Sequence, residues 1–200
     1  MTSQLQQSQR DRALLLAGVS HDLRTPLTRL RLSAEFLNDE EMSQGIIADI
    51  EDMDAILDQF ISFIRDGADE QPDYENLNDL IDEVAAKYPG EQLRIRQKDL
   101  PRLMLKRLTV KRMLSNLITN ALKYGAAPVE IDTALDDNAL VLVVRDHGKG
   151  VREEDIPLLL QPFSRGEKAR TLSGSGLGLA IVKRIVDMHH GEMALDNHPH

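Results

Sequence analysis

Four stretches of the 200-residue chain carry side chains whose types and spacing could do chemistry. His21 lies five residues after Leu16 and two before Leu23. At about 100° per residue it stands opposite the apolar seam of those leucines and faces solvent. Asp22 follows, then Arg24, Thr25 and Pro26. Taken alone, His21 reads as an ordinary surface histidine. Two neighbours shift that reading. An exposed imidazole beside a carboxylate has the makings of a nucleophile with a base. A proline inside an apolar-periodic helix costs roughly 3 kcal/mol and kinks it.

The other three stretches lie in the second half. Asn116 and Asn120 are spaced i, i+4 and share a helix face, with Lys123 nearly on it. Amide oxygens that can ligate Mg²⁺, beside an ammonium, suit a nucleoside triphosphate. A plain polar helix face explains them equally well. Asp146-His147-Gly148-Lys149-Gly150 follows an apolar run. A strand-end carboxylate before two glycines lets the backbone approach a flat ligand while the carboxylate accepts from an exocyclic amine. An unremarkable turn has the same composition. Gly174-Ser175-Gly176-Leu177-Gly178 opens a helical pattern, and glycines at a helix N-terminus aim N–H groups at phosphate. It is neither a Walker A loop nor a Rossmann fingerprint.

The elements that position these residues follow from periodicity. Leu16, Val19, Leu23, Leu27, Leu30, Ala34 and Leu37 form one apolar seam. Asn38–Glu41 interrupts it, and Ile46, Ile50, Met53, Leu57, Phe60 and Ile64 form a second with a/d spacing. The two helices predict an antiparallel hairpin. A lone hairpin leaves much of both seams wet, so a four-helix bundle of two chains completes it. Arg65–Asp73, with Gly67 and Pro72, reads as a linker.

Beyond the linker the pattern predicts a helix around Leu77–Ala85 and short strands at Leu93–Arg96 and Leu103–Leu105. A helix at Leu108–Tyr124 follows, then a hairpin of Val129–Leu135 and Leu140–Arg145. Val151–Ser173 reads as irregular, Leu177–His189 as helix and Glu192–Leu195 as a last strand. This second region is α+β, with helices on one face of a mixed sheet.

Composition narrows the function. The net charge of −9 argues against a general nucleic-acid binder. The absence of cysteine excludes disulfides and thiolate sites. The longest apolar run, Ala13–Val19, is far short of the ~18 residues that span a bilayer. No signal peptide is expected. With no Trp and 4 % aromatic residues, a stacking platform for single-stranded nucleic acid is not expected either. His189-His190, with His198 and His200, reads as cations complementing a helix C-terminus and then a tail, rather than as a metal site.

The order of the motifs resembles the cytoplasmic core of sensor histidine kinases of two-component signalling. His21–Pro26 is similar to the H box, Asn116–Tyr124 to the N box and Asp146–Gly150 to the G1 box. Pro162-Phe163 is similar to the F box and Gly174–Gly178 to the G2 box. The surroundings of His21 and of Phe163 resemble the osmosensor (EnvZ-type) members most.

The resemblance implies two domains. The first, residues 1–66, is an all-α hairpin for dimerisation and histidine phosphotransfer. After a linker at 67–73, residues 74–200 form an α+β sandwich of the GHKL (Bergerat) type that binds ATP, with its final strand missing. It implies a protein-histidine autokinase that passes phosphate from His21 to an aspartate of a response regulator, with OmpR-like receiver domains as partners, and that also dephosphorylates that regulator. Asp22 would act on the other ring nitrogen, and Thr25 would position water. Asn120 would hold Mg²⁺, with Asn116, Lys123 and Tyr124 on the nucleotide, and Asp146 would read the adenine amine.

In the same resemblance, Phe163 would anchor a lid whose Arg165 and Arg170 reach the γ-phosphate, and Gly148, Gly150, Gly174, Gly176, Leu177 and Gly178 would line the site. The chain would be a homodimeric cytoplasmic piece of a bacterial inner-membrane protein, anchored by segments N-terminal to it, and would bind no nucleic acid. Two other readings stand beside this one. A GHKL ATPase would need a glutamate base where Asn116 stands. A non-catalytic docking module would leave the motif set unexplained.

Overall fold

The computed structural model describes residues 23–65, 70–136, 139–164 and 176–197. The chain divides into two units, with the boundary between Asp66 and Gly67.

The first unit is a helical hairpin. Residues 23–35 form α1, and Glu40–Arg65 forms α2. Asp39 starts α2, its Oδ1 accepting from the N–H of Met42 at 3.0 Å, the standard satisfaction of an orphan donor in a first turn. Ser43 donates to the Ala34 carbonyl at 2.8 Å, and Arg31 pairs with Glu51 at 3.2 Å. These cross-links run antiparallel.

Each apolar seam divides in two. Leu27 and Ala34 of α1 and Ile50 of α2 are buried. The alternate heptad positions are not: Leu23 is 45 %, Leu30 55 % and Met53 51 % exposed, with Leu37 and Ile46 exposed beside them. One stripe closes the hairpin, and the other remains as an apolar face on the outside.

The second unit is built round α4, Arg107–Tyr124. Val110, Met113, Leu114, Ile118 and Ala121 recur on one face and are buried, as a 3.6-residue period requires. Against it pack α3, Leu77–Ala85, and α6, Gly178–Met188. Asn76 caps α3, its Oδ1 accepting from Asn78 N–H at 2.9 Å while its Nδ2 donates to the Leu100 carbonyl.

Under the helices lies a three-stranded sheet in the order β2 (Leu93–Arg96), β4 (Val129–Asp136), β5 (Ala139–Arg145). β2 pairs parallel to β4, and β5 antiparallel. Val129, Ile131 and Thr133 of β4 turn inward, whereas Glu130 and Asp132 take the other face with Arg94, Arg96 and Arg145. β1 (Asp73–Glu75) and β3 (Leu103–Leu105) make a separate antiparallel ribbon.

Four features differ from the sequence reading. β1 begins at Asp73, the last residue assigned to the linker, and Glu70 is tied to α4. Within Val151–Ser173, a 3₁₀ turn (Glu153–Asp155) and a short helix, α5 (Ile156–Leu159), are regular. Glu192–Leu195 is not a strand. The alternation there is two residues long on each face, too little to hold a ladder without a paired neighbour.

His189 is the fourth. Its Nδ1 lies 2.8 Å from the Ile185 carbonyl, and its Nε2 accepts from the Lys106 N–H at 3.1 Å. Both ring nitrogens are engaged, so the side chain joins the end of α6 to the start of α4. The helix ends in a Schellman turn. His190 N–H bonds to Asp187 and Gly191 N–H to Val186, with His190 at φ 57°. Among the described residues, no helix is long and apolar enough to cross a membrane.

Candidate functional site

α4 carries the site. Its buried face fixes the rotation of the helix, so Asn120, between the buried Ile118 and Ala121, lies half-buried at the edge of the core. The first turn of α6 crosses there. A Cβ added to Gly178 would stand 2.8 Å from Asn120 Nδ2 and 3.0 Å from Oδ1. No larger residue fits while the amide keeps its place.

At the C-terminal end of α4, Gly125 N–H bonds to the Ala121 carbonyl. The carboxylate of Asp146 lies against the Cα of Gly125: a Cβ on Gly125 would fall 2.2 Å from Asp146 Cγ. Asp146 Oδ1 accepts from Gly148 N–H at 2.7 Å. A Cβ on Gly148 would meet Gly125 Cα at 2.7 Å. Asp146, Gly125 and Gly148 thus form one tight group in which two backbones touch because neither carries a side chain.

The neighbouring sheet steadies this turn. His147 N–H bonds to the Ala126 carbonyl, and His147 Nε2 lies 3.5 Å from Glu130 Oε1. Glu130 is nearly buried, yet its carboxyl is held below the ordinary glutamate range. The hydrogen bond from Arg96 dominates and outweighs desolvation, with Arg96, His147 and Arg145 adding favourable charge.

The remaining expected residues are placed as follows. Asn116 turns its Nδ2 to the Arg112 carbonyl at 3.0 Å, a bond within its own helix. Lys123 stands over the ring of Tyr124, 5.6 Å from its centroid, and both are exposed. Gly150 and Gly176 have φ of +71° and +69°, where glycine is favoured. Leu177 is fully buried at the start of α6, so its side chain belongs to the core and is not available to a ligand.

Phe163 is 56 % exposed with φ 63°. Thr25 is exposed on α1. His21, Asp22, Arg165, Arg170 and Gly174 lie outside the described residues. Among the described residues, no cluster of three or more His, Cys, Asp or Glu could hold a metal.

Three residues of this structure escaped sequence reasoning: Gly125, Glu70 and Asn197. Only Gly125 carried a signal, as the glycine that ends the amphipathic pattern directly after Tyr124.

Residues 11–68 match the family described as the His Kinase A (phospho-acceptor) domain. Residues 106–200 match the histidine kinase-, DNA gyrase B- and HSP90-like ATPases. In the solved histidine kinase domain of the Escherichia coli osmosensor EnvZ, the likeness is 34 % in sequence with a TM-score of 0.51, over 66 % of this chain and 84 % of that one. The chain belongs to the sensor histidine kinases.

Among curated members of the family, the sensor histidine kinase GtrS of Pseudomonas aeruginosa is 33 % identical over 94 % of this chain and 39 % of its own length. The signal transduction histidine-protein kinase/phosphatase MprB of Mycolicibacterium paratuberculosis is 30 % identical over 98 % of this chain and 42 % of its own length. The chain spans about two fifths of the length of these curated histidine kinases. Its second unit is the ATP-binding domain of a histidine kinase, with the three-stranded sheet and helices α3, α4 and α6 as its layers.

Proposed function

We propose that the chain is the catalytic core of a dimeric sensor kinase. It phosphorylates His21 from ATP and passes the phosphoryl group to an aspartate of a response regulator of the OmpR type. Residues 1–66 serve dimerisation and phosphotransfer, and the domain that follows binds ATP, with Glu70 and the first strand from Asp73 belonging to it. The parent protein is anchored in the bacterial inner membrane by segments N-terminal to this one.

One observation carries this reading. Asn120 meets Gly178, and Asp146 meets Gly125, along a single helix. Five residues separate Asn120 from Gly125, about 7.5 Å of helical rise, so an amide and a carboxylate lie within the length of one nucleotide. Gly178 lies against the amide and Gly125 and Gly148 against the carboxylate, and a Cβ at any of these three positions would fill the space. An amide oxygen suits Mg²⁺, a hard cation, and a carboxylate suits an exocyclic amine.

Asn120 holds Mg²⁺, with Asn116, Lys123 and Tyr124 beside the nucleotide and Asp146 accepting from the adenine amine. Bound Mg²⁺ would neutralise charge developing on the β- and γ-phosphates. A ring nitrogen of His21 attacks the γ-phosphorus, the bond to the β–γ bridging oxygen breaks, and ADP leaves with its electron pair. Asp22 accepts the N–H of the other ring nitrogen and favours the charge that forms. The regulator's carboxylate then takes the phosphorus from nitrogen, giving an acyl phosphate.

Thr25 positions the water that hydrolyses that acyl phosphate in the phosphatase direction. The MprB relative, a kinase/phosphatase by name, supports two activities. Asn116 speaks against a dedicated ATPase, because an amide bonded to Arg112 cannot deprotonate water.

Incubation with γ-labelled ATP tests the reading: the label should be acid-labile and base-stable, and His21→Ala should lose it while still binding nucleotide. Thr25→Ala should keep autophosphorylation within a few-fold and lose most phosphatase activity towards the regulator. Label persisting in His21→Ala would end the assignment.

A further inference from the structure

Asn197 lies in the segment after α6, in none of the sequence motifs, yet its carboxamide meets the backbone of Val151 twice. Val151 N–H donates to Asn197 Oδ1 at 2.9 Å, and Asn197 Nδ2 donates to the Val151 carbonyl at 2.6 Å. One side chain thus supplies both the acceptor and the donor that a neighbouring strand would offer to Val151. Gly150 makes the approach possible. A Cβ there would stand 2.5 Å from Asn197 Oδ1, and the residue adopts φ +71°.

Val151 directly follows the Asp146–Gly150 turn. The start of that turn is fixed by the bond from Gly148 N–H to Asp146 Oδ1 and by that from His147 N–H to Ala126. Its far end is fixed by Asn197. We infer that Asn197 is a positioning residue for the nucleotide: by holding Val151 at both backbone groups, it keeps Gly150 and the turn behind it in the shape that presents Asp146 to adenine. The inference rests on the reading of Asp146 given above.

Mg-ADP titration by calorimetry, on the full chain, compares wild type, Asn197→Ala, Asn197→Asp and Asp146→Asn. Losing two hydrogen bonds that order the turn should weaken binding about five-fold or more in Asn197→Ala. Asn197→Asp keeps the size and one acceptor but sets a carboxylate oxygen against the Val151 carbonyl, so it should do no better than alanine. In autophosphorylation, both should raise KM for ATP and leave kcat within about two-fold. A residue that only supported folding would instead lower the active fraction, and so apparent kcat, at constant KM.

Unchanged affinity in Asn197→Ala, with Asp146→Asn weakened, overturns the inference alone, and so does a fall in kcat at constant KM. A wild-type chain that binds no nucleotide, or an Asp146→Asn variant that binds as wild type does, overturns the site reading and the inference with it.

Discussion

Gly125 is the narrowest point of the site. Its Cα is pressed against Asp146, and neither partner can yield easily: one ends an 18-residue helix and the other leaves a paired strand. Gly125→Ala should therefore lower nucleotide affinity at least ten-fold, about 1.4 kcal/mol, and reduce thermal stability as well. Gly90, with open space about its Cα, gives the control: Gly90→Ala should bind nucleotide as wild type does in the same calorimetric titration. Asn120, Asp146, Gly148 and Gly178 were legible in the sequence because each sits in a short local pattern. Gly125, Glu70 and Asn197 act on residues 21, 38 and 46 positions away in the chain. No local periodicity carries such a pairing, so these roles became visible only in three dimensions.

The start of α4 is held from outside the helix. Lys106 occupies the N-cap but makes no side-chain cap. The carboxylate of Glu70 accepts from Leu108 N–H at 2.6 Å and from Thr109 N–H at 3.0 Å, and from the Thr109 hydroxyl. These are the second and third donors of the first turn, the ones a cap residue normally satisfies. Partial burial alone would raise the Glu70 carboxyl. The Thr109 and Leu108 hydrogen bonds and the nearby Lys106 outweigh it and hold the group below its ordinary value.

A depressed carboxyl stabilises the fold above its unfolded value, and the contribution is lost as pH falls through the folded one. Glu70→Gln should cost about 1 kcal/mol near neutral pH. Denaturation curves of the two proteins should converge below about pH 4, near and under the range where a free glutamate protonates. A constant difference across the titration would remove the charge from the explanation. The helices and central strands of this unit were legible because their apolar periods are long and unbroken. β1 was not, since Asp73-Tyr74-Glu75 has no apolar alternation to read.

At the scale of the whole molecule, the outer stripe of the hairpin decides assembly. Leu23 and Leu30 of α1, Leu37 just after it, and Ile46 and Met53 of α2 place apolar side chains in solvent, a pattern that a partner copy would cover. Met53→Lys should give monomers in sedimentation velocity at micromolar concentration, while Ile50→Ala, on the inner stripe, should loosen the hairpin by about 2–5 kcal/mol. A dimer persisting in Met53→Lys would place the interface elsewhere. Both seams were legible from their apolar spacing, but which positions face inward depends on the crossing of the two helices, which a heptad count does not determine.

The grip of Glu70 on α4 also determines where this chain can be divided. A fragment beginning at Tyr74 would retain β3, α3, α4, α6 and the three-stranded sheet, and would leave the Leu108 and Thr109 donors to water. One beginning at Gly67 would carry its own cap. The boundary that preserves the nucleotide domain therefore lies upstream of its first strand, inside the stretch that composition alone marks as connecting chain.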